Sequence, residues 1–534
     1  MTRPLLLLTT ALAVCAASQA GAATQAERAA LWWKDIAAMA DPATAGRMTG
    51  SPGYARAADV VAGRMKAIGL TPAGDNGGYK QTVRFGEQVV NQTASTAALI
   101  GPDGAAEALE PLEQIRVAAG GAPRPTQVDA PLVFVGYGLH LPERGYDDFK
   151  GLDLKGKIAV VITGGPADLP GPDKANARAN RVKLVKSMGG VGVIALTAPS
   201  QVEIPWARSR ARAGEPGMYL ADPGLRETPD GMYLASLDPG RSEALFAGSG
   251  HSFAELSKLS DASAPVPVFS LPRRLKATVT ARYRELSSDN LVAVLPGADP
   301  KLKGEYVGIS AHLDHLGTGV GADGKPVIYP GVMDDASGVA SVLDMAAALK
   351  AGKRPARSIL VLVVTAEEMG LLGSHYYANR PTIPKGALVA DFNLDMPLPL
   401  WELKTVIVQG EAESTLGDVA RKVAPTQGLA LTPDPNPDRN SFTRTDQYSF
   451  VRAGVPALAF KVGYQKGTPE FEFERQWRAT RYHAPLDDLA QPGVRPADAI
   501  RLDDYVAAIA RQTANTPAKP TWLPTSAFAK NAPK

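Results

Sequence analysis

The chain has 534 residues and a formal net charge of +3, from 57 basic and 54 acidic side chains. A chain of this length is expected to form two or more domains, since single cores stop growing at about 250–300 residues. Hydrophobic residues make up 45% and charged residues 21%, which is typical of a soluble globular protein. The balanced charge argues against a nucleic-acid partner and against binding to an anionic membrane surface.

The first 22 residues have the three parts of an export signal. Arg3 supplies the positive charge, residues 5–17 form an apolar run, and Ala20-Gly21-Ala22 offers a small-residue cleavage site. The run is too short to span a bilayer, so we expect a cleaved signal peptide at 1–22, no stable membrane insertion, and a periplasmic or secreted protein. The only cysteine, Cys15, lies in this segment, so the mature chain would have no disulfide. The sequence does not indicate an oligomeric state.

Residues 23–125 begin with helices and continue with strand-like pieces. Apolar residues at helical spacing between 25 and 70 predict helices, and Gly69 is expected to end the run. A strand is expected at 96–100. We interpret this stretch as the first part of a domain that resumes after residue 285.

The region 126–285 differs in composition from the preceding residues and is rich in glycine, proline and arginine. Short β-branched segments predict strands at 132–137, 158–162 and 191–196. A helix is expected at 175–188, closed by two glycines. This region is therefore predicted to be a separate, inserted, β-rich domain.

Residues 286–515 alternate buried strands with helices, which predicts an α/β fold with a mixed, largely parallel sheet flanked by helices. Strands are expected at 291–295, 306–311, 359–365, 388–393, 406–409 and 457–462, and helices at 339–349 and 497–512. The segment 516–534 contains four prolines and is predicted to be a flexible tail.

Acidic residues and histidines follow several of these strands directly. They are His312 and Asp314, Asp334 and Asp335, Glu367 and Glu368, Asp395, and His483 with the nearby Asp487. Because the carboxyl ends of parallel strands open onto one crevice, separate segments would deliver these side chains to a single site. A lone histidine or an aspartate pair is usually structural, but the combination is specific, and charge after an apolar strand is costly without a partner.

Two histidines and three carboxylates can bind two zinc ions if one carboxylate bridges them. The two ions bring four positive charges and the carboxylates three negative charges, so the site favours deprotonation of a bound water. A further, unligated carboxylate can accept that proton and later pass it to the leaving amine. The adjacent Glu367 and Glu368 suit this division, one as a ligand and the other facing the water.

The same residues lie in motifs that resemble the M28 family of zinc aminopeptidases, in the form that carries an inserted protease-associated domain. The motifs are Ala311-His312-Leu313-Asp314-His315-Leu316-Gly317, Asp334-Asp335-Ala336-Ser337-Gly338, Ala366-Glu367-Glu368-Met369-Gly370, Asn393-Leu394-Asp395-Met396 and Tyr482-His483-Ala484-Pro485-Leu486-Asp487. The resemblance covers nearly the whole mature chain, and it identifies region 126–285 with the protease-associated domain.

The resemblance implies a role for each of these residues. Asp334 would bridge the metals, His312 and Asp395 would hold one ion, Glu368 and His483 would hold the other, and Glu367 would be the general base. Asp335 would follow Asp334 through a strained peptide bond that can be cis, and Asp314 and Asp487 would orient the two histidines.

The sequence departs from the family pattern near the substrate pocket. Thr445-Asp446-Gln447 stands where family members often have Ser-Asp-His, and Pro397 follows the Asn-Leu-Asp-Met motif. We therefore assign no residue to stabilise the oxyanion, and Tyr448, Tyr464 and Tyr482 stay equal candidates.

The resulting prediction is an exported di-zinc aminopeptidase that removes N-terminal residues from peptides, with a metal-held hydroxide as nucleophile. Three alternatives remain. The first is a carboxypeptidase or dipeptidase with a related zinc site, and the second is a glutaminyl cyclase with one zinc ion. The third is a receptor-like binding protein without metal, which would be expected to lack ligands that are all present here.

Overall fold

The computed structural model describes residues 23–202, 205–211, 213–321 and 324–532. The predicted signal peptide and Cys15 lie outside these ranges. Within them, no helix has both the length and the hydropathy needed to cross a bilayer.

The helices predicted within 25–70 and at 175–188, 339–349 and 497–512 are found with shifted ends, and six further helices lie between them in the described residues. Together they are α1 Gln25–Met39, α2 Pro52–Ile68, α3 Gly171–Ser187, α4 Trp206–Ala211, α5 Phe253–Asp261, α6 Ser337–Ala351, α7 Leu372–Asn379, α8 Leu416–Val423, α9 Gln447–Arg452, α10 Pro469–Thr480 and α11 Pro496–Asn515. Thr24 and Glu27 form a capping box at the start of α1, which satisfies backbone N–H groups there. Gly69 ends α2 in the left-handed region at φ 76°, where glycine carries no steric penalty.

The strands range in length from two residues to fifteen. They are β1 Thr71–Pro72, β2 Lys80–Val90, β3 Thr96–Ile100, β4 Ala106–Ala108, β5 Ile115–Val117, β6 Gln127–Val135, β7 His140–Leu141, β8 Tyr146–Asp147, β9 Ile158–Ile162, β10 Gly192–Leu196, β11 Gly217–Leu220, β12 Tyr233–Leu237, β13 Val268–Thr278, β14 Ala281–Leu295, β15 Tyr306–His312, β16 Gly317–Val320, β17 Pro326–Tyr329, β18 Ser358–Val364, β19 Leu388–Asn393, β20 Thr405–Gln409, β21 Ala430–Leu431 and β22 Ala457–Val462.

A ten-stranded mixed sheet forms the centre of the larger domain, in the order β11-β2-β14-β18-β15-β19-β22-β20-β21, with β1 paired to β14. Strands β18, β15, β19 and β22 are mutually parallel, whereas β2 and β14 run antiparallel to their neighbours. Strand β20 is antiparallel to β22 and parallel to β21. The predicted mixed, largely parallel sheet is thus confirmed for its central strands.

Both faces of this sheet are covered, which explains why its strands are apolar without alternation. On one face Val361 and Val363 pack with α1, α2, α6 and α11 in the main core. On the other face Leu360 and Leu362 pack with Tyr377 of α7 and Phe450 of α9. The carboxyl ends of the parallel strands are left open between these layers.

A second, eight-stranded sheet has the order β4-β3-β13-β6-β9-β10-β12-β5. Its two faces are covered by α3 and α5. All its strands come from residues 96–278, so the sheet begins earlier than the predicted boundary at 126. The reason is that β3 pairs with β13, β4 pairs with β3, and β5 pairs with β12, so none of the three joins the larger sheet.

The two sheets are joined by a long antiparallel pair and by one returning strand. Strands β2 and β14 pair from Lys80 to Val90, and they connect one sheet to the other. Strand β11 leaves the second region and pairs with β2 at the edge of the larger sheet.

The C-terminal segment up to residue 532 is packed, which contradicts the flexible tail predicted from its prolines. Phe528 is fully buried against Phe442 and Tyr448, and Trp522 donates from its indole Nε1 to the carbonyl of Gly454 at 3.1 Å. The aromatic side chains explain why the segment is ordered. The free energy gained by burying such large apolar surfaces outweighs the low propensity of proline for regular secondary structure.

Candidate active site

The site lies at the carboxyl ends of three adjacent parallel strands. His312 is the last residue of β15, Glu367 and Glu368 follow β18, and Asp395 follows β19. Asp334 lies in the irregular turn Val332–Ala336 that precedes α6. These side chains share one site, as predicted for residues that follow neighbouring parallel strands.

One half of the site is formed by a histidine and two aspartates. His312 Nε2 lies 3.3 Å from Asp334 Oδ1 and 3.9 Å from Asp395 Oδ1. The ring of His312 is buried, and its Nδ1 lies 3.1 Å from the backbone carbonyl of Asp314. This contact assigns the proton to Nδ1 and leaves Nε2 to face the carboxylates.

The other half is formed by Asp334, Glu368 and two histidines. His483 Nε2 lies 3.3 Å from Asp334 Oδ2 and 3.2 Å from Glu368 Oε2. His315 Nδ1 lies 2.7 Å from Glu368 Oε1, on the other oxygen of the same carboxylate. The two oxygens of Asp334 therefore face different histidines, which is the arrangement that a bridging carboxylate requires.

The Asp334-Asp335 peptide bond is cis, in agreement with the resemblance. Asp335 Oδ1 accepts hydrogen bonds of 3.0 Å from the N–H groups of Gly338 and Met396, so it ties the start of α6 to the segment that carries Asp395. A Cβ at Gly338 would lie 2.1 Å from the carbonyl of Leu394, so only glycine fits there.

Asp314 supports both glutamates through their backbone. Its carboxylate accepts from the N–H of Glu367 at 3.0 Å and from the N–H of Glu368 at 3.2 Å. Its Oδ1 also lies 3.9 Å from His312 Nδ1, a weaker contact than those two bonds. Asp314 thus fixes the glutamate pair more directly than it fixes the histidine.

Asp487 holds a different group from the one that the resemblance implies. Its carboxylate accepts from the backbone N–H groups of Met333 at 3.0 Å and Asp334 at 3.1 Å. The prediction that it orients His483 is replaced by a role in holding the backbone of Asp334. The physical reason is that the turn at 332–336 presents unsatisfied N–H groups, which a buried carboxylate can accept.

A buried arginine, Arg47, links the two loops that carry His312 and Asp334, and the sequence motifs did not single it out. Its guanidinium donates to the carbonyls of Leu313 at 2.7 Å and Gly331 at 2.9 Å, and to the carbonyl of Pro330. The side chain is fully buried. Residues 46–48 read Gly-Arg-Met, which gives no sign that this arginine is buried.

Replacing Arg47 with Ala should lower the free energy of unfolding by about 3–5 kcal/mol, because several buried carbonyls lose their donor. Urea denaturation of wild type and variant measures the difference. Arg475→Ala is the matched control, since this arginine is 58% exposed and pairs with Glu472 on the surface. An unchanged midpoint for Arg47→Ala would show that the loops do not depend on this residue.

Glu367 stands next to the ligand groups and has a different electrostatic environment from Glu368. Burial raises the pKa of Glu367 well above its usual range, and the nearby carboxylates of Asp395 and Glu368 add to the shift. For Glu368, burial acts in the same direction, but His483 and His315 hold its pKa below the usual range. Adjacent glutamates whose pKa values are pushed apart are suited to different roles.

Asp446 is a further buried carboxylate near the site. Burial raises its pKa to about 7, and His312 and Asp395 are among its charged neighbours. It lies in the Thr445-Asp446-Gln447 triplet, where the sequence departs from the family pattern. Gln447, in place of the histidine, donates to the carbonyl of Phe442 at 2.7 Å, so the departure builds a rigid turn.

The three candidate tyrosines lie in different surroundings. Tyr482 stacks on the ring of His483 with centroids 3.9 Å apart. Tyr448 Oη lies 3.2 Å from Asn176 Oδ1 in the second domain, and Tyr464 packs edge-on against Trp401. Burial and the carboxylates of Asp334 and Glu368 raise the pKa of Tyr482 well above its usual range, so its hydroxyl stays a donor.

Three non-glycine residues at the site have left-handed backbone conformations. They are Ala366 at φ 58°, Met396 at φ 52° and His483 at φ 52°. Such conformations persist only where the surrounding structure imposes them, and they cluster at functional sites.

The side chains fit a metal site by their donor chemistry. Among the described residues, two groups have donor atoms within 4.8 Å of one another: His312, Asp334 and Asp395, and His315, Asp334 and Glu368. His312 Nε2 and Glu368 Oε1 are buried without a hydrogen bond of normal geometry in the part of the chain described. Buried polar atoms are rarely left without partners unless an ion or another group satisfies them. Imidazole and carboxylate are ligands typical of zinc.

Comparisons with known proteins agree with this geometry. Residues 290–510 match the model of Peptidase family M28. Leupeptin-inactivating enzyme 1 of Streptomyces exfoliatus is 28% identical over 246 residues, which cover 43% of this chain and 50% of that protein. Aminopeptidase YwaD of Bacillus subtilis (strain 168) is 25% identical over 228 residues, which cover 41% of this chain and 44% of that protein.

A solved structure extends the likeness to both regions of the chain. The aminopeptidase from Aneurinibacillus sp. strain AM-1 covers 92% of this chain and 95% of its own, with a TM-score of 0.52 and 19% identity, which shows a shared fold. The chain spans about half the length of the curated relatives that it matches in sequence. The match to peptidase family M28 thus falls on residues 290–510, the part of the chain that carries the metal-binding candidates.

Proposed function

We propose that the protein is an exported zinc aminopeptidase that removes N-terminal residues from peptides. One observation carries the proposal: two groups of side chains that could hold a metal share Asp334, and the carboxylate of Glu367, which belongs to neither group, lies beside them. The names of two relatives support it, since one is an aminopeptidase and the other is a leupeptin-inactivating enzyme.

Two zinc ions would be held by five residues that share one bridging ligand. Asp334 would bridge, His312 and Asp395 would bind one ion, and Glu368 and His483 would bind the other. His315 contacts the second oxygen of Glu368, so we assign it to holding that carboxylate in place. Bound zinc supplies positive charge that polarises the scissile carbonyl and lowers the pKa of the attacking water.

Glu367 would accept the proton of the attacking water and pass it to the leaving amine. Its carboxylate Oε2 lies 3.9 Å from His312 Nε2, so it reaches the centre of the site without occupying a ligand position of its own. Asp314 accepts a hydrogen bond from the backbone N–H of Glu367, which would keep the base in position at the end of β18. A positioned base of this kind contributes about 10²–10⁴-fold to the rate.

The test is hydrolysis of paired peptides by the purified mature protein. One set has free N-termini, the other is acetylated, and each is assayed with and without a chelator. Chelator-sensitive release of N-terminal residues from the free set alone supports the proposal. Release of C-terminal residues from the acetylated set would reassign the protein as a carboxypeptidase. Cyclisation of an N-terminal glutamine would indicate a glutaminyl cyclase, and neither metal nor turnover would favour the binding protein.

The second sheet would correspond to the protease-associated domain, with its boundaries moved to about residues 95 and 280 by the strand pairing. The segment between β11 and β12 contacts α7 and the residue after it: the carbonyl of Leu225 lies 2.9 Å from His375 Nε2, and Asp222 pairs with Arg380 at 3.0 Å. Export is proposed from residues 1–22 alone, and N-terminal sequencing of protein collected outside the cytoplasm checks the cleavage position.

Zinc binding to protein stripped by a chelator should release protons near pH 7.5. Burial opposes the charged form of His483, but the carboxylates of Glu368 and Asp334 raise its pKa to about 10, so the ring carries a proton that zinc must displace. Zinc affinity should therefore fall as the pH falls. Titration calorimetry in buffers of different ionisation enthalpy measures the release, which we expect to be about one proton or more. His140→Gln, at a histidine in the second domain, should leave the number unchanged. Binding without proton release would contradict the assignment of His483.

A further inference from the structure

A buried lysine, Lys461, lies on β22, next to the strand that leads to Asp395. In the central sheet β15 is parallel to β19, and β19 is parallel to β22. The last residues in register on these three strands are Ser310, Asn393 and Ala459. Continuing the register by two residues aligns His312, Asp395 and Lys461 in one row across adjacent strands. Since neighbouring strands are about 4.8 Å apart, Lys461 lies beside two of the proposed metal ligands.

The three side chains of this row face the same side of the sheet. Successive side chains of a strand alternate between its faces, so the residues that flank each member of the row point the other way. Those flanking residues all pack in the main core, and they are Ala311 and Leu313, Leu394 and Met396, and Phe460 and Val462. Lys461 therefore points to the face that His312 and Asp395 share, at the open carboxyl end of the sheet.

The ammonium of Lys461 has no counterion of its own. The residue is 8% exposed, and its Nζ forms no hydrogen bond and no ion pair in the described part of the chain. Asp395 is turned toward His312, whose Nε2 lies 3.9 Å from its Oδ1, and Glu474 is paired with Arg478. Burying a charge without a partner is costly, so the position of Lys461 calls for a ligand that supplies a negative charge.

The electrostatic environment of Lys461 agrees with this geometry. Burial lowers the pKa of its ammonium, and the carboxylate of Asp395 opposes that shift more than any other group does, which confirms that the two side chains are neighbours. The Nζ atom is not fully enclosed by protein, so a group of a bound molecule can reach it.

The strand order decides which part of a peptide would meet Lys461. Along the carboxyl ends of the parallel strands the order is β18, β15, β19 and β22, so Glu367 and Lys461 lie on opposite sides of His312. In the proposed reaction Glu367 passes a proton to the leaving amine, which places the leaving part of the peptide on the β18 side. The N-terminal residue then lies on the side of β19 and β22, where its side chain can approach Lys461.

We propose that Lys461 binds the side-chain carboxylate of the first residue of the substrate, so that the enzyme prefers peptides that begin with Glu or Asp. An ammonium and a carboxylate form a charge-assisted hydrogen bond, which a neutral side chain cannot replace. The inference rests on the proposed aminopeptidase activity and deepens it, because it names the class of N-terminal residue that the site selects.

The test compares pentapeptides that differ only in the first residue, which is Glu, Gln, Asp or Asn. Alanines follow it, and the C-terminus is an amide, so the only carboxylate in the series is the one that Lys461 would bind. We expect kcat/KM to be about ten- to hundred-fold higher for an acid than for its own amide in at least one of the two pairs, because hydrogen bonds to charged groups are the stronger ones. Equal kcat/KM values within both pairs would overturn the proposal.

Lys461→Met removes the ammonium but keeps an unbranched side chain, so the ratio of kcat/KM between acid and amide should fall to about one. Lys461→Arg, which keeps the charge, should keep a ratio above one. Lys404→Met is the matched control and should keep the wild-type ratio, since the side chain of Lys404 is 69% exposed and pairs with Glu402. If Lys461 only balanced the charge of Asp395, Lys461→Met would lower kcat/KM by the same factor for all four peptides, and that unchanged ratio would contradict the proposal.

Binding of free amino acids separates this inference from the proposed function. Titration calorimetry with L-glutamate, L-glutamine, L-aspartate and L-asparagine measures binding of the first residue without hydrolysis. Tighter binding of an acid than of its amide, lost in Lys461→Met and kept in Lys404→Met, would retain Lys461 as a carboxylate site even if no peptide were hydrolysed and the aminopeptidase assignment failed. Equal binding of acids and amides by the wild type would refute the inference, and hydrolysis of the neutral peptides would still support the proposed function.

Discussion

Glu367→Gln should lower kcat/KM for N-terminal hydrolysis by about 10²–10⁴-fold and leave the zinc content unchanged. The amide has nearly the shape of the carboxylate and keeps the backbone contact of Glu367 with Asp314, but it cannot accept a proton. The loss should be in kcat rather than KM, because the proton is transferred only as the reaction proceeds. Metal analysis of the purified variant, together with steady-state kinetics, measures both quantities.

Glu368→Gln is the matched comparison for this variant. The two glutamates are adjacent in sequence and share the support of Asp314, but only Glu368 contacts His483 and His315. We expect Glu368→Gln to lose metal as well as activity. Metal loss in Glu367→Gln would show that Glu367 is a ligand and that the assignments of the two glutamates are reversed.

The elements that the sequence predicted best are continuous apolar strands bounded by turn residues. The strand expected at 158–162 is found as Ile158–Ile162, and those expected at 388–393 and 457–462 are also found with these bounds. Such strands are buried on both faces in a parallel sheet, so their composition alone marks them. Strand ends then place His312, Glu368 and Asp395 together without further information.

The domain boundary and the tail could not be predicted in this way. Strands β3, β4 and β5 are short, and their sequences could belong to an edge of either sheet. Only the observed pairing of β3 with β13, β4 with β3 and β5 with β12 assigns them to the second sheet. The C-terminal prolines suggested disorder, but the burial of Phe528 depends on an apolar site formed by Phe442 and Tyr448, more than 75 residues earlier.

The supporting residues of the site depend on contacts between distant segments. Arg47 reaches the carbonyls of Leu313 and Gly331, and its own neighbours in sequence give no sign of a buried charge. The resemblance assigned Asp487 to His483, but its carboxylate accepts hydrogen bonds from the buried N–H groups of Met333 and Asp334. Sequence order therefore identifies the ligands at strand ends more readily than the groups that hold them.

Asp334→Ala should abolish metal binding at both positions, and with it all measurable hydrolysis. The two oxygens of Asp334 face His312 and His483 at 3.3 Å each, so its removal opens both halves of the site. Loss of a residue that only supports a ligand weakens metal binding by about 10–100-fold, and loss of a shared ligand should weaken it by more. Zinc titration with a competing chromophoric chelator measures the affinity and the number of ions.

Asp395→Ala distinguishes a shared ligand from an ordinary one. Asp395 lies 3.9 Å from His312 Nε2 and belongs to the group that contains His312, whereas the second group is formed by Asp334, Glu368 and a histidine. Removing the Asp395 carboxylate should therefore weaken the binding of one zinc ion and leave the affinity for the other close to the wild-type value. The contrast between two ions lost and one ion lost follows from the position of Asp334 between the two histidines. If Asp334→Ala retained one tightly bound ion, or Asp395→Ala lost both, Asp334 would not be the bridge, and the division of the remaining ligands into two groups would have to be redrawn.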